Sequence, residues 1–380
     1  MKTIGIITIH KINNYGSVLQ AYALQSVCEE MGYEAEIIDY RFPNSFHTHN
    51  HYALQNDSSP KEPRFMKLLY SIPLLRQHNS IGSFVDNYLK LSDVEYNHPN
   101  ELLENPPKYD IYITGSDQLW NPRHTKADPA FFLHFAPEEA LKISYAASSC
   151  PVFPDELRDE IGKYLKRYAG ISVREFSGKS SIETLTDKKV HVVLDPTLLL
   201  RPEDWNRIAF SGRLVKKKYI LCYFLNYSFN AFPYVDELAD NIRQQTGYSV
   251  IYLGRPPHSL FAKHYEYRVG SSIEEFLAYI RDAEIVLTTS FHGTAFAVNY
   301  GRPVISVVKS QSDKDSRQVN LLERLNLKNN ILCMNSPYPI YSEANYDVVK
   351  VHSELNKLRE TSINFLNEYL NNEKYPNNPL

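Results

Sequence analysis

The segment Thr288-Thr289-Ser290-Phe291-His292-Gly293-Thr294 sets an imidazole among hydroxyl residues, directly after the apolar run Ile285 to Leu287. That order predicts a buried strand ending in a turn and entering a helix, with Thr294 at or near the first turn. Unpaired N–H groups and the helix dipole at such an entrance favour an anion. Ser290, Phe291, Gly293 and Thr294 are therefore candidate phosphate contacts, and His292 is placed to bind the charge or to pass a proton to it. A histidine that caps the helix or fills the core fits the same residues equally well.

Other polar groups fall at similar junctions. Strand Ile4 to Ile9 opens into a loop carrying Asn13, Asn14, Tyr15, Gly16 and Ser17. Strand Tyr109 to Thr114 runs into Gly115-Ser116-Asp117-Gln118-Leu119-Trp120-Asn121-Pro122. Further strands at Lys142 to Ser149, Gly170 to Arg174 and Val190 to Leu194 lead into loops, the last through Asp195-Pro196-Thr197. Open parallel sheets bind ligands beyond the carboxyl ends of their strands, so these loops form candidate site walls. Asp117 is a candidate base for activating a hydroxyl, or equally a helix cap. Gly-x-Gly-x-x-Gly is absent after the first strand, which disfavours an ordinary dinucleotide site.

These groups are positioned by a strand–helix alternation. A helix near Ser17 to Met31, stopped by Gly32, precedes strand Glu34 to Tyr40. Phe42 to Arg64 is polar and proline-bearing, a surface excursion before a helical stretch containing Phe65 to Leu75. His47, His49 and His51 alternate there without an acidic or thiolate partner nearby, so they read as solvated. A second series follows: strand Tyr219 to Leu225, helix Pro233 to Gln245, strand Ser249 to Leu253, helix Ser272 to Ala283, strand Ile285 to Thr289, helix Thr294 to Tyr300 and strand Pro303 to Val308. The expected division is 1–205, an N-terminal Rossmann-like domain on the acceptor side, and 206–340, a second on the donor side. A C-terminal helix and tail, 341–380, would pack back on the first.

The 380 residues suit two cores, and 43% hydrophobic with 22% charged residues excludes a largely disordered chain. A net charge of -3 offers no broad basic field for nucleic acid. The four cysteines, Cys28, Cys150, Cys222 and Cys333, are widely spaced and read as reduced core thiols. No metal site and no resident cofactor is expected. The N-terminus lacks a signal-peptide pattern and no apolar run approaches a membrane span, which points to the cytoplasm, with at most peripheral contact at the inner membrane face.

The chain resembles the polysaccharide pyruvyl transferases. The resemblance rests on Asn14-Tyr15-Gly16-Ser17-Val18-Leu19-Gln20-Ala21, Gly115 to Asn121, Ser172-Val173-Arg174-Glu175, Asp195-Pro196-Thr197-Leu198-Leu199 and Ser290 to Thr294, in that order and spacing. It implies an α/β fold of two Rossmann-like domains in a GT-B-like arrangement facing a central cleft. It further implies phosphoenolpyruvate as donor, a saccharide acceptor, free or lipid-linked, and a cyclic pyruvate ketal as product. His292 would be the active-site histidine and Arg174 a donor-binding arginine. Family members reading Arg-Leu-His-Gly carry a second donor-binding arginine where this chain has Ser290. Lys309, Lys314 and Arg317 are candidates to restore that charge. Asn14, Tyr15, Gly16, Ser17, Ser116, Gln118, Trp120 and Asn121 are expected at the acceptor or cleft side. The competing readings are a nucleotide-sugar glycosyltransferase of the same architecture and a catalytically silent sugar-phosphate binding protein.

Overall fold

Runs of β-branched and aliphatic residues too short for helices, alternating with amphipathic helices, assemble two parallel sheets. The computed structural model describes residues 1–41, 64–225, 229–254, 265–310 and 317–371. They form two units: 1–41, 85–200 and 356–371 in the first, and the described parts of 64–84 and 201–355 in the second.

The first unit contains β1 (Thr3–Ile7), β2 (Glu34–Ile37), β3 (Ile111–Thr114), β4 (Asp117–Trp120), β5 (Leu141–Ser149), β6 (Gly170–Val173) and β7 (Val190–Val192). Their order is β2-β1-β3-β5-β6-β7, every pairing parallel, with β4 joined to the end of β5. The chain leaves β1 toward β2 on one side and returns to β3 on the other, so the switch point of this sheet lies between β1 and β3.

Strand β4 corrects an expectation. Gln118, Trp120 and Asn121 read as loop residues on the acceptor or cleft side, yet Leu119 and Trp120 are fully buried in a strand. The Trp120 indole stacks on Phe132 at 5.5 Å, meets Tyr168 edge-on, and donates its N–H to the Phe131 carbonyl at 2.9 Å. Burying an indole with its donor satisfied outweighs leaving it at a loop tip.

The second unit contains β8 (Tyr219–Tyr223), β9 (Ser249–Leu253), β10 (Tyr265–Arg268), β11 (Ile285–Thr288), β12 (Val304–Val308) and β13 (Ile331–Cys333). The parallel order is β10-β9-β8-β11-β12-β13, the Rossmann sequence 3-2-1-4-5-6 counted from β8. Its switch point lies between β8 and β11. The edge strands β10 and β13 escape the sequence reading because they are short and only partly apolar. Helix Ile273–Asp282 begins with a capping box between Ser272 and Glu275.

Two long helices each contribute residues to both units. Helix Arg64–Tyr88 contains Phe65 to Leu75 and continues past Pro73 to Tyr88, and its residues through 84 belong to the second unit, where Arg76 pairs with Glu275 at 2.7 Å. The C-terminal helix Val348–Leu370 is divided between the units at 355/356. In the second unit His352 Nε2 meets the Val298 carbonyl at 3.1 Å. In the first, Arg359 donates to the Leu198 carbonyl at 2.6 Å and the Leu194 N–H donates to Ser362 at 2.9 Å. The segments 42–63 and 372–380, with His47, His49 and His51, lie outside the described residues.

No described helix is long and apolar enough to cross a membrane. None of the four cysteines is in a disulfide, and burial pushes the Cys28 thiol up to about 12.

Half-buried Asp236 in the first turn of helix Tyr234–Thr246 gives the second unit a pH dependence. Burial, reinforced by Glu237, pushes its carboxyl from 3.8 up to about 6. The folded state thus holds this proton more tightly than the unfolded chain, so ionisation costs stability as pH rises through about 6 and costs nothing below the unfolded value. Asp236→Asn is expected to melt higher than wild type above about pH 7, with the gain vanishing below about pH 4. Thermal scans across that range check it.

Candidate functional site

Hydroxyl side chains join the ends of β11 and β8 across the switch point of the second sheet. Thr288 Oγ1 donates to the Tyr223 carbonyl at 2.6 Å and accepts from the Ser290 N–H at 3.0 Å. Thr289 Oγ1 accepts from the Leu225 N–H at 2.7 Å and donates to the Leu225 carbonyl at 3.0 Å. The helix that follows, Phe291–Asn299, begins three residues earlier than Thr294 because Ser290 caps it, accepting from the Gly293 N–H at 3.3 Å. Gly293 is required by close approach: a Cβ there would lie 2.5 Å from Thr288 Oγ1.

Two of the residues read as phosphate contacts hold the turn together. Ser290 and Thr294 read as phosphate contacts, but Ser290 Oγ serves as the cap. Thr294 Oγ1 donates to the Ser290 carbonyl at 3.0 Å and lies 2.8 Å from Ser306 Oγ on β12. Both hydroxyls build the helix entrance. His292 lies in the first turn, 7% exposed, its ring 5.1 Å from that of Phe291 and edge-on to it.

Charge reaches this turn from another element. Helix Arg317–Arg324 starts with the Arg317 guanidinium 5.6 Å from the centre of the Phe291 ring, a cation–π distance. Its neighbour Gln318, buried, donates to the Thr289 carbonyl at 2.7 Å. Gln318 escapes the sequence reading because a glutamine before a leucine-rich helix carries no local signal. Exposed Lys309 follows the end of β12, and Lys314 lies outside the described residues.

In the first unit the residues of four motifs meet in one buried network. Gly115 has φ +131, and a Cβ there would lie 1.9 Å from the Tyr145 carbonyl oxygen, so only glycine fits. Asp117 follows in the left-handed region at φ 74. Its Oδ2 accepts from Ser17 Oγ at 2.6 Å and its Oδ1 from the Gln118 N–H at 2.9 Å. Asp117 opens β4, so the alternative helix-cap role does not apply. Arg174, 2% exposed in its side chain, pairs with Asp195 at 2.6 Å and with Asp117 at 3.5 Å. Burial opposes its charge, but the carboxylates of Asp195, Asp117 and Glu175 outweigh that and push the guanidinium further up. Asp195 Oδ2 also accepts from Ser116 Oγ at 3.1 Å, while its Oδ1 accepts from the Thr197 N–H and hydroxyl at 3.0 and 2.7 Å.

The expected acceptor wall is therefore mostly interior. Tyr15, Gly16, Ser17, Ser116 and Trp120 are buried. Asn14 caps helix Tyr15–Glu30 by accepting from the Gly16 and Ser17 N–H groups, and Asn121 caps helix Pro122–Thr125. Gln118 and Asn121 keep partial exposure. Gln20, unremarked within its motif, bridges the switch point: its amide donates to Thr8 Oγ1 at 2.9 Å and its carbonyl accepts from the Ser116 N–H at 3.0 Å.

Arg174, read as a donor clamp, is paired internally with Asp195 and Asp117. Asp195→Ala leaves that guanidinium without its nearest carboxylate and is expected to cost about 3–5 kcal/mol. Urea unfolding with an unchanged m-value checks this.

Comparison with known proteins adds a family to the geometry. No curated protein matches the sequence. Among solved structures, a putative UDP-N-acetylglucosamine 2-epimerase from Listeria monocytogenes superposes with TM-score 0.53 at 10% identity, covering 94% of this chain and 90% of that one. MnaA from S. aureus, in a co-structure with UDP, gives TM-score 0.55 at 13% identity, covering 98% of this chain and 97% of that one. At such identities the likeness concerns fold alone, and the fold is of the GT-B class, α/β with two parallel-sheet units. The family model for polysaccharide pyruvyl transferase matches residues 14–310. That span begins at the cap of the first switch-point helix and runs past His292 and β12, and this chain belongs to the polysaccharide pyruvyl transferase family.

Proposed function

We propose that this transferase moves pyruvate from phosphoenolpyruvate onto two hydroxyls of one sugar, free or lipid-linked, in a surface polysaccharide or its precursor, releasing phosphate and leaving a cyclic ketal. The observation that carries the reading is the turn around His292. An imidazole in the first turn of a helix, with a guanidinium over the adjoining Phe291 ring, suits a substrate bearing both a phosphate and a carboxylate.

In the proposed reaction the methylene carbon of the donor takes a proton, leaving an oxocarbenium-like centre at C2. One sugar hydroxyl adds there and loses its proton. The C2–O bond to phosphate breaks, phosphate departs with that electron pair, and the second hydroxyl adds to the regenerated cation and loses its proton. His292 supplies a proton or hydrogen bond to the departing phosphate, and the helix entrance and Arg317 stabilise its charge. Asp117, in the first unit, is the base proposed for the acceptor hydroxyl. Lys309 is a further candidate contact for the donor.

The UDP bound in the MnaA co-structure makes a nucleoside diphosphate the competing ligand to test. Calorimetry should detect phosphoenolpyruvate binding and none by UDP; the reverse result favours a nucleotide-sugar reaction. His292→Ala, folded by circular dichroism, is expected to lose phosphate release in the presence of acceptor, and near-normal turnover would remove it from the chemistry. Arg317→Ala should raise the KM for phosphoenolpyruvate about 10- to 100-fold, the range of a lost charge-assisted contact. Steady-state kinetics with varied donor checks this.

A further inference from the structure

Arg207 to Lys218, the stretch leading into β8, carries five cations, Arg207, Arg213, Lys216, Lys217 and Lys218, and no carboxylate, in a chain whose net charge is -3. All five are exposed, and so is Phe210 between the first two, at 46%. The stretch is not a loose tether. The Phe210 N–H donates to the Glu274 carbonyl at 3.0 Å, Arg281 donates to the Phe210 and Gly212 carbonyls at 3.0 and 2.9 Å, and Arg213 donates to the Asp282 carbonyl at 3.4 Å. Helix Ile273–Asp282 thus fixes the backbone while the ring and the charges stay in solvent. Neutralisation nearby is slight. Arg207 is 3.4 Å from Asp204 and Lys218 is 4.0 Å from Glu284, both cations still mostly exposed, and Lys216 and Lys217 have no ion pair among the described residues. Exposed pairs of that kind are screened and weak. Five like charges crowded into twelve residues repel one another, and a surface of opposite charge relieves that repulsion.

We propose that Arg207 to Lys218 is a membrane-docking surface for anionic lipid headgroups, with the cations at the headgroup phosphates and the Phe210 ring seated at the interface. Cations alone suit any polyanion. An exposed aromatic ring among them, held on a fixed backbone, selects a lipid surface, which offers anionic groups with an apolar layer directly beneath. The stretch precedes β8, at the amino ends of the second sheet, whereas the His292 turn follows the carboxyl end of β11. Docking through it therefore leaves the helix entrance at His292 uncovered. Lipid binding here is independent of the pyruvyl-transfer reading and is measured without turnover.

The test is co-sedimentation of the full chain with vesicles of phosphatidylcholine alone and of phosphatidylcholine with about one-third phosphatidylglycerol, at about 0.1 M and about 0.5 M salt. Wild type should bind the anionic vesicles, not the neutral ones, and be released at the higher salt. Each cation near such a surface tightens binding about fivefold, so Lys216→Gln/Lys217→Gln/Lys218→Gln should weaken it about 100-fold. Lys216→Arg/Lys217→Arg/Lys218→Arg keeps the charge and should bind as wild type. Phe210→Ala should weaken binding about fivefold, the scale of a ring partly buried at the interface. Lys163→Gln/Lys166→Gln, which removes two exposed lysines of the first unit, should change nothing. Circular dichroism melting confirms that each variant is folded, and the lysine variants alter only exposed side chains. No sedimentation of wild type with anionic vesicles overturns the proposal. Equal binding by the Lys→Gln triple variant would place the contact elsewhere, and unchanged binding by folded Phe210→Ala would leave electrostatic adsorption alone; either result overturns it. Retention of duplex DNA, lost in the same triple variant, without vesicle binding would assign the stretch to nucleic acid and overturns it equally.

Discussion

Arg174 pairs with Asp195 and Asp117 inside the first unit, and the loops at the carboxyl end of that sheet are arranged around it. A buried guanidinium is tolerated only where carboxylates and further hydrogen bonds meet it. Those carboxylates lie after β3 and β7, and the arginine itself directly follows β6. One charge thus ties together three strand ends far apart in sequence. Ser17 then brings the helix after β1 onto the same Asp117, and Ser116 brings its own turn onto Asp195. Four motifs that look independent along the chain are parts of one electrostatic junction.

The second sheet meets the same geometric problem with neutral groups. Where adjacent strands diverge at a switch point, their terminal N–H and carbonyl groups lose sheet partners and must be satisfied in another way. Thr288 and Thr289 do this between β11 and β8, and Ser290 and Thr294 do it at the helix entrance. Those hydroxyls are already held by backbone partners. This leaves His292, and Arg317 on a helix that Gln318 fixes to the Thr289 carbonyl, as the side chains from which the proposed donor chemistry is built. The charge comes from a separate helix because position 290 is occupied by a cap.

Much of this was legible in the residues. Period and punctuation mark the long elements: apolar runs such as Ile285 to Leu287 are too short for helices, and Ser272 with Glu275 announces a helix start. Short edge strands were not legible, since Tyr265–Arg268 and Ile331–Cys333 lack a distinctive pattern and are defined by the neighbours they pair with. Nor was β4, because a tryptophan after Gly-Ser-Asp looks the same whether it faces a ligand or Phe132.

The sequence by itself determined the element types, the parallel α/β class and the placing of His292 at a strand-to-helix junction, because these follow from local periodicity and turn chemistry. Only the tertiary structure decided which polar residues are already occupied. Asn14, Ser17, Ser116 and Arg174 lie in loops beyond strand ends, yet each is bonded to a partner or turned into the interior. Asn13, adjacent and of the same type as Asn14, has no hydrogen-bond partner for its side-chain carbonyl among the described residues. Hydrogen bonding between strand ends depends on which strands are neighbours, and that order is set by the packing of the whole sheet.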